Sequence, residues 1–210
     1  MASIDTRKER MAKFIRALYL AKYVKNDNIP CEIEPGLFLG SIGAAQNKSV
    51  LKSLNVTHVL LVANALEPAY PNDFKYKKVE VLDSVDTDLE QHFEECFTFI
   101  DEAKQEEGGV LVHCFAGRSR SVTIIVAYLM RTHRMSLCEA LELVKSKRPQ
   151  AAPNQGFLLQ LQHLESCLGV VDKPVEKETF GRDVHGFQGD LRMGVRGLPG
   201  VLRTGVKEYH

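Results

Sequence analysis

A cysteine and an arginine six positions apart are the residues of this chain best suited to do chemistry. They lie in the segment His113-Cys114-Phe115-Ala116-Gly117-Arg118-Ser119-Arg120-Ser121. Apolar residues precede and follow this segment, which predicts a buried strand, a tight loop and the first turn of a buried helix. The backbone N–H groups of such a loop, the helix dipole and the Arg120 guanidinium would together enclose a tetrahedral dianion. Because the same positive field stabilises a thiolate, we expect the pKa of Cys114 to lie below the free value of roughly 8.5.

The segment therefore predicts a nucleophile inside an anion site. Thiolate cleavage of a phosphate ester needs a nucleophile, a charge clamp, a proton donor and a way to resolve the intermediate. We expect Cys114 to form a phosphocysteine, Arg120 to bind two phosphate oxygens, and Ser121 to donate a hydrogen bond to the departing sulfur. His113 is expected to hold the loop and the sulfur in register. The residues expected to bind the substrate phosphate are Phe115, Ala116, Gly117, Arg118, Ser119 and Arg120.

The proton donor must be a carboxylic acid on another loop. The candidates Asp83, Asp86 and Asp88 lie in one seven-residue stretch. Asp83 follows a predicted strand over 79–82, expected to lie beside the strand of the nucleophile. Asp88 is equally suited to cap the next helix, and Asp86 to a solvated loop.

Composition excludes several other classes of protein. Twenty-seven basic and 27 acidic residues cancel, so no overall field indicates nucleic-acid binding. Five widely spaced cysteines indicate a reducing compartment, without a disulfide scaffold or a metal site. No apolar run is long enough for a transmembrane segment, and no secretory signal is evident. We expect a soluble protein of the cytoplasm, the nucleus or both.

Composition also divides the chain into three parts. Residues 1–28 are predicted to form a basic amphipathic helix, since 1–26 hold seven basic and two acidic residues. Residues 29–170 are predicted to form a single α/β domain with a central, mostly parallel sheet flanked by helices. Apolar spacing predicts helices over residues 44–54 and over about 121–132, 137–147 and 155–167. Residues 171–210, with many glycines, are predicted to form a mostly disordered tail.

The segment His113–Ser121 resembles the signature of the dual-specificity protein phosphatases, a family within the cysteine-dependent phosphatase superfamily. The resemblance covers roughly residues 30–168, and three further segments match the family's pattern: Asp83…Leu89…Phe93, Val122–Met130 and Arg148-Pro149…Pro153-Asn154…Phe157. The wording of His113–Ser121 and of Lys145-Ser146-Lys147-Arg148-Pro149 is similar to a plant member of the family. The resemblance implies that Asp83 is the general acid and that Asn154 steadies the active-site loop. It also implies a shallow pocket for phosphoserine, phosphothreonine and phosphotyrosine, MAP-kinase-like substrates, and no metal or other cofactor.

Two alternatives to a protein phosphatase stay open. One is a phosphatase of the same fold that acts on phosphoinositides or other non-protein phosphates, and the other is an inactive phosphate-binding adaptor. Phosphoinositide phosphatases usually carry several basic residues in this loop, whereas here Arg118 is accompanied by Phe115. Arg118 either binds a second acidic group of the substrate or is a solvated surface arginine.

The N-terminal helix has three alternative partners. Its apolar residues at helical spacing could pack on the catalytic domain or on a second copy of the chain. Basic residues around apolar anchors are also typical of calmodulin targets and of membrane-surface helices. For residues 7–25 the sequence therefore leaves calmodulin, a membrane surface and internal packing open.

Overall fold

A computed structural model of the chain describes residues 10–170, apart from 12, 13, 16, 19, 20 and 24. The predicted glycine-rich tail lies outside the described residues. Five strands form one sheet in the order β1-β2-β5-β3-β4. All neighbouring strands are parallel except the antiparallel pair β1–β2. The strands are β1 (Cys31–Glu34), β2 (Leu37–Gly40), β3 (Val56–Val62), β4 (Lys75–Val79) and β5 (Gly109–His113). The predicted α/β domain with a mostly parallel sheet is confirmed.

Helices cover both faces of this sheet, and several begin where the sequence supplies a capping side chain. Ser136 caps one helix through a capping box with Glu139. Asn47 begins a second short helix, so the helix predicted over residues 44–54 is interrupted. The helices are α1 (Ile42–Ala45), α2 (Lys48–Ser53), α3 (Phe93–Gln105, after a 3₁₀ turn at Glu90–His92), α4 (Arg120–His133), α5 (Leu137–Lys147) and α6 (Gln155–Leu168). Among the described helices, none is long and apolar enough to cross a bilayer.

The central strand β5 is buried on both faces, as a parallel sheet between helical layers requires. Val110 and Val112 join the large core cluster that α3 and α4 also line, whereas Leu111 packs with Phe38 on the opposite face. This burial fixes the carboxyl end of β5, where the segment singled out by the sequence begins. The loop between β5 and α4 therefore starts and ends on rigid elements.

The prediction of a strand over residues 79–82, next to the strand that precedes Cys114, is wrong in both respects. Strand β4 spans Lys75–Val79, because its partner β3 ends at Val62, which lies opposite Val79. Strand β3 also lies between β4 and β5, so β4 is not the neighbour of the nucleophile's strand. Asp83 consequently reaches the loop on a non-strand segment that follows β4.

The described residues between 10 and 26 have helical backbone. The side chains of Met11, Phe14, Ile15 and Leu18 are between 46% and 60% exposed. The alternative in which Met11, Ile15 and Leu18 pack on the catalytic domain of the same molecule is therefore wrong. An apolar face of this segment is left open to solvent.

Candidate active site

The loop from Cys114 to Ser119 joins the end of β5 to the first turn of α4. Gly117 has a φ of 61°, a conformation that side chains other than glycine rarely adopt. A Cβ at this position would also lie 2.4 Å from the Gly40 carbonyl oxygen. Glycine is thus required here both for the turn of the loop and for its close approach to β2.

The Cys114 sulfur lies inside this loop, and the residue is 1% exposed. Its Sγ accepts hydrogen bonds from the Gly117 N–H and from the Ser121 hydroxyl, each at 3.2 Å. Burial by itself raises the pKa of Cys114. The Arg120 charge and the hydrogen bonds from Ser121 and from backbone N–H groups outweigh burial, so the pKa lies below its ordinary value.

Cys96 provides a contrast within the same molecule. It is also fully buried, but it lies on α3 and faces the apolar core. Burial there raises the pKa of Cys96 to about 12. The comparison shows that the polar contacts of the loop, and not the cysteine residue type, favour a thiolate at Cys114.

His113 is buried at the end of β5, and burial lowers its pKa to about 4 despite a compensating hydrogen bond to the backbone. The imidazole is therefore neutral near neutral pH. Its Nδ1 lies 3.1 Å from the Cys114 carbonyl oxygen and can donate to it. His113 thus contacts the backbone of the nucleophile, the position from which it can keep the loop in register.

Arg120 lies at the start of α4 with its side chain only 10% exposed. Its Nη1 donates to the Val81 carbonyl oxygen at 3.2 Å, and its Nε lies 3.6 Å from Asp83 Oδ2, too far for a hydrogen bond. Among the buried side-chain nitrogens and oxygens of the described residues, Arg120 Nε is one of two that have no hydrogen-bond partner. A buried donor without a partner is costly, and an oxygen of a bound anion would satisfy it.

Asp83 is held at the edge of the loop by a closed set of hydrogen bonds. Its Oδ1 accepts from the Ser119 hydroxyl at 2.8 Å and from Asn154 Nδ2 at 2.9 Å. Ser119 Oγ in turn accepts from the Asn154 backbone N–H, and Asn154 Oδ1 caps α6 through the Phe157 N–H. The residues expected to be acid, loop and supporting side chain are thus brought together, and Asp83 remains partly exposed.

Asp86 and Asp88, the other two candidates for the proton donor, have surroundings that differ from those of Asp83. Asp88 Oδ1 accepts from the Gln91 N–H at 3.2 Å, which is the capping contact that its position suggested. Asp86 is exposed in the same loop. The contacts with Ser119, Asn154 and Arg120 distinguish Asp83 from both.

A cleft of about 240 Å³ opens beside Arg120 and is lined by Phe115 and the segment from Ala63 to Leu66. Phe115 is partly buried and packs edge-on against Tyr23, with ring centroids 5.5 Å apart. Arg118 is exposed at the rim of the loop. Phe115 therefore gives the loop an apolar side, and the Arg118 guanidinium lies exposed at its rim.

Arg148 contacts the loop in a way that the sequence did not suggest. It ends a basic run, Lys145-Ser146-Lys147-Arg148, that reads as the polar end of a helix, yet Arg148 is 2% exposed. Its Nε donates to the Gly117 carbonyl oxygen at 2.6 Å and its Nη2 to the Ala116 carbonyl oxygen at 3.0 Å. The proline that follows was the only local sign that the run ends in a fixed turn.

Within the described residues, one cluster has the residue types and spacing of a metal site: His58 on β3, Glu102 on α3 and Glu106 directly after that helix. Lys75 lies 2.5 Å from Glu102 and 4.0 Å from Glu106. This ammonium already neutralises part of the carboxylate charge, so the glutamates do not require a cation. None of these three residues belongs to the loop around Cys114.

Comparison with known proteins places this geometry in a family. The family model described as "Dual specificity phosphatase, catalytic domain" matches residues 37–167. "Dual specificity protein phosphatase 1" of Arabidopsis thaliana is 57% identical over 166 residues, which cover 79% of this chain and 84% of the relative. "MAP kinase phosphatase with leucine-rich repeats protein 3" of Dictyostelium discoideum is 46% identical over 67% of this chain, but only 16% of that larger protein is covered.

Solved structures agree with the sequence relatives. The crystal structure of human DUSP28 superposes with a TM-score of 0.65 at 36% sequence identity, covering 67% of this chain and 95% of that one.

Proposed function

Because the chain belongs to the dual specificity protein phosphatases, we propose that it hydrolyses phosphotyrosine, phosphoserine and phosphothreonine through a phosphocysteine on Cys114. The observation that carries the proposal is the buried Cys114 sulfur, which lies between two hydrogen-bond donors beside the unpartnered Arg120 Nε. Such a site binds a phosphate group and presents a nucleophile to its phosphorus atom at once.

In the first step the thiolate of Cys114 attacks phosphorus, forming the S–P bond as the bond from phosphorus to the leaving oxygen breaks. Arg120 and the loop N–H groups stabilise the charge on the non-bridging oxygens. The leaving oxygen takes its proton from Asp83, which the hydrogen bonds from Ser119 and Asn154 hold at the loop edge.

In the second step water attacks the phosphocysteine and gives a proton to the Asp83 carboxylate. The S–P bond breaks, inorganic phosphate forms, and the sulfur leaves as a thiolate. Ser121, 3.2 Å from the sulfur, stabilises that leaving thiolate.

The proposed role of Ser121 predicts that breakdown of the phosphocysteine becomes the slow step when this serine is replaced. In Ser121→Ala the second step loses one hydrogen bond to the departing sulfur, so kcat should fall by about 10- to 100-fold. Stopped-flow hydrolysis of an aryl phosphate should then show a burst of aryl alcohol before a slow steady state. Ser146→Ala, on the exposed side of α5, should leave the kinetics unchanged. A slowed reaction without a burst would contradict the role.

Phosphorylated MAP kinases are the proposed substrates. Support comes from the name of the Dictyostelium relative and from Arg118 at the rim, which can bind a second acidic group of the substrate. Rates on doubly and singly phosphorylated kinase peptides and on phosphoinositides test this. Faster hydrolysis of the doubly phosphorylated peptide, abolished in Arg118→Ala, is expected. Preference for the lipid would favour the non-protein alternative, and no turnover of any substrate would favour the inactive adaptor.

We also propose calmodulin as a partner of residues 7–25, in a protein of the cytoplasm, the nucleus or both. The exposed apolar side chains of Met11, Phe14, Ile15 and Leu18 on a basic segment support it. A pull-down of the full chain on calmodulin, with calcium or with a chelator, tests the partner. Retention that does not depend on calcium would remove it and leave a membrane surface or a second copy as alternatives. Imaging of the tagged full chain tests the compartments.

A further inference from the structure

We propose that Asp27 and Arg148 form a positioning pair that holds the phosphate-binding loop in its anion-binding shape. The proposal rests on the proposed function, because it concerns how the loop binds phosphate. Asp27 lies ten residues before the start of the matched family domain at residue 37. The segment around Asp27 would therefore be part of the catalytic unit and not an appendage to it.

Arg148 fixes the direction of two peptide groups in the loop. On the outside of the loop, Arg148 donates hydrogen bonds to the carbonyl oxygens of Ala116 and Gly117. In a planar trans peptide the N–H points away from the carbonyl oxygen. The N–H groups of Gly117 and Arg118 are therefore directed inwards, and both are among the hydrogen bonds that Cys114 receives. Arg148 thus orients the donors that bind the sulfur.

The Arg148 guanidinium is held in place by Asp27. Its Nη1 donates to Asp27 Oδ1 at 3.1 Å and its Nη2 to Asp27 Oδ2 at 2.6 Å, a two-point pair. The side chains are 2% and 17% exposed. A buried guanidinium needs such a partner, since without one its desolvation would not be compensated. Asp27 therefore fixes both the charge and the plane of the guanidinium.

Asp27 is itself held through its backbone. Its carbonyl oxygen accepts from the Ser41 hydroxyl at 2.9 Å, and its N–H donates to the Tyr23 carbonyl oxygen at 2.8 Å. The Tyr23 ring also packs on Phe115 of the loop itself. The segment around Asp27 is thus joined to the loop at two points, one polar and one apolar.

The pair can be tested with a variant for which charge and positioning predict opposite results. Asp27→Asn removes a negative charge beside the anion site, so electrostatics alone would strengthen the binding of phosphate. Positioning predicts the reverse, because a displaced loop no longer directs its N–H groups at the anion. We expect the inhibition constant of inorganic phosphate, measured against an aryl phosphate, to rise by about 5- to 50-fold.

The matched control is Glu32→Gln, which removes one carboxylate charge from an exposed position on β1. It should leave the inhibition constant unchanged. Arg148→Lys is the second variant: it keeps the charge but cannot reproduce the planar fork, so phosphate binding should weaken as for Asp27→Asn. This variant decides the test if Asp27→Asn does not fold.

Thermal unfolding of each variant separates positioning from a general loss of stability. An unchanged or lowered inhibition constant in folded Asp27→Asn or Arg148→Lys would overturn the pair, even if the melting temperature falls. Absence of phosphate inhibition in the unaltered protein would instead contradict the proposed function.

Discussion

Cys114→Ser is expected to lower kcat by at least about 10⁴-fold while substrate binding is retained. A hydroxyl is not ionised by the field that stabilises the thiolate, so the attack on phosphorus is lost. The loop N–H groups and Arg120 remain, and they hold the phosphate. Steady-state turnover of an aryl phosphate measures the first effect, and equilibrium binding of a phosphopeptide measures the second.

Cys167→Ser is the control for this variant, because it changes an exposed cysteine on α6 in the same way. It should keep full activity. Turnover by Cys114→Ser within tenfold of the unaltered protein would show that another group is the nucleophile. If the expected result holds, Cys114→Ser can also retain substrates from a cell extract, which would identify the phosphoproteins directly.

Asp83→Asn has the second largest expected effect, a loss in kcat of about 10²- to 10⁴-fold. The amide keeps the size of the side chain but cannot give a proton to the leaving oxygen. The loss should be greatest for phosphoserine and phosphothreonine, whose alkoxide leaving groups need the proton most, and smallest for an activated aryl phosphate. Rates over a series of leaving groups measure this difference.

Asp86→Asn and Asp88→Asn make the same chemical change in the same stretch of chain. Asp86 is exposed, and Asp88 caps the turn at Gln91, so both variants should stay within a few-fold of the unaltered kcat. If Asp88→Asn were damaging and Asp83→Asn mild, the assignment of the acid would be incorrect.

The loop was predictable from the sequence because its chemistry is local. Cys114, Gly117, Arg120 and Ser121 lie within eight consecutive residues, and apolar runs on both sides fix the strand and the helix. The helices α4, α5 and α6 were likewise predicted to within about one residue, since capping and apolar periodicity are local signals.

The features that the sequence did not predict depend on contacts between distant parts of the chain. Arg148 resembles a surface cation in its own segment, and only the fold brings it to Asp27, 121 residues away. The end of β4 is set by the length of its partner β3 and not by its own apolar residues. Asp83 reaches the loop although its strand is not next to β5, a relation that depends on strand order.

The pH dependence of Cys114 alkylation tests the central claim most directly. The full chain is treated with iodoacetamide from mildly acidic to alkaline pH, and peptide mapping separates Cys114 from the other four cysteines. Because the pKa of Cys114 is lowered, its thiolate should persist as the pH falls, with a midpoint below the roughly 8.5 of a free thiol, while Cys96 stays unreactive at neutral pH. A midpoint for Cys114 at or above roughly 8.5 would contradict a thiolate nucleophile.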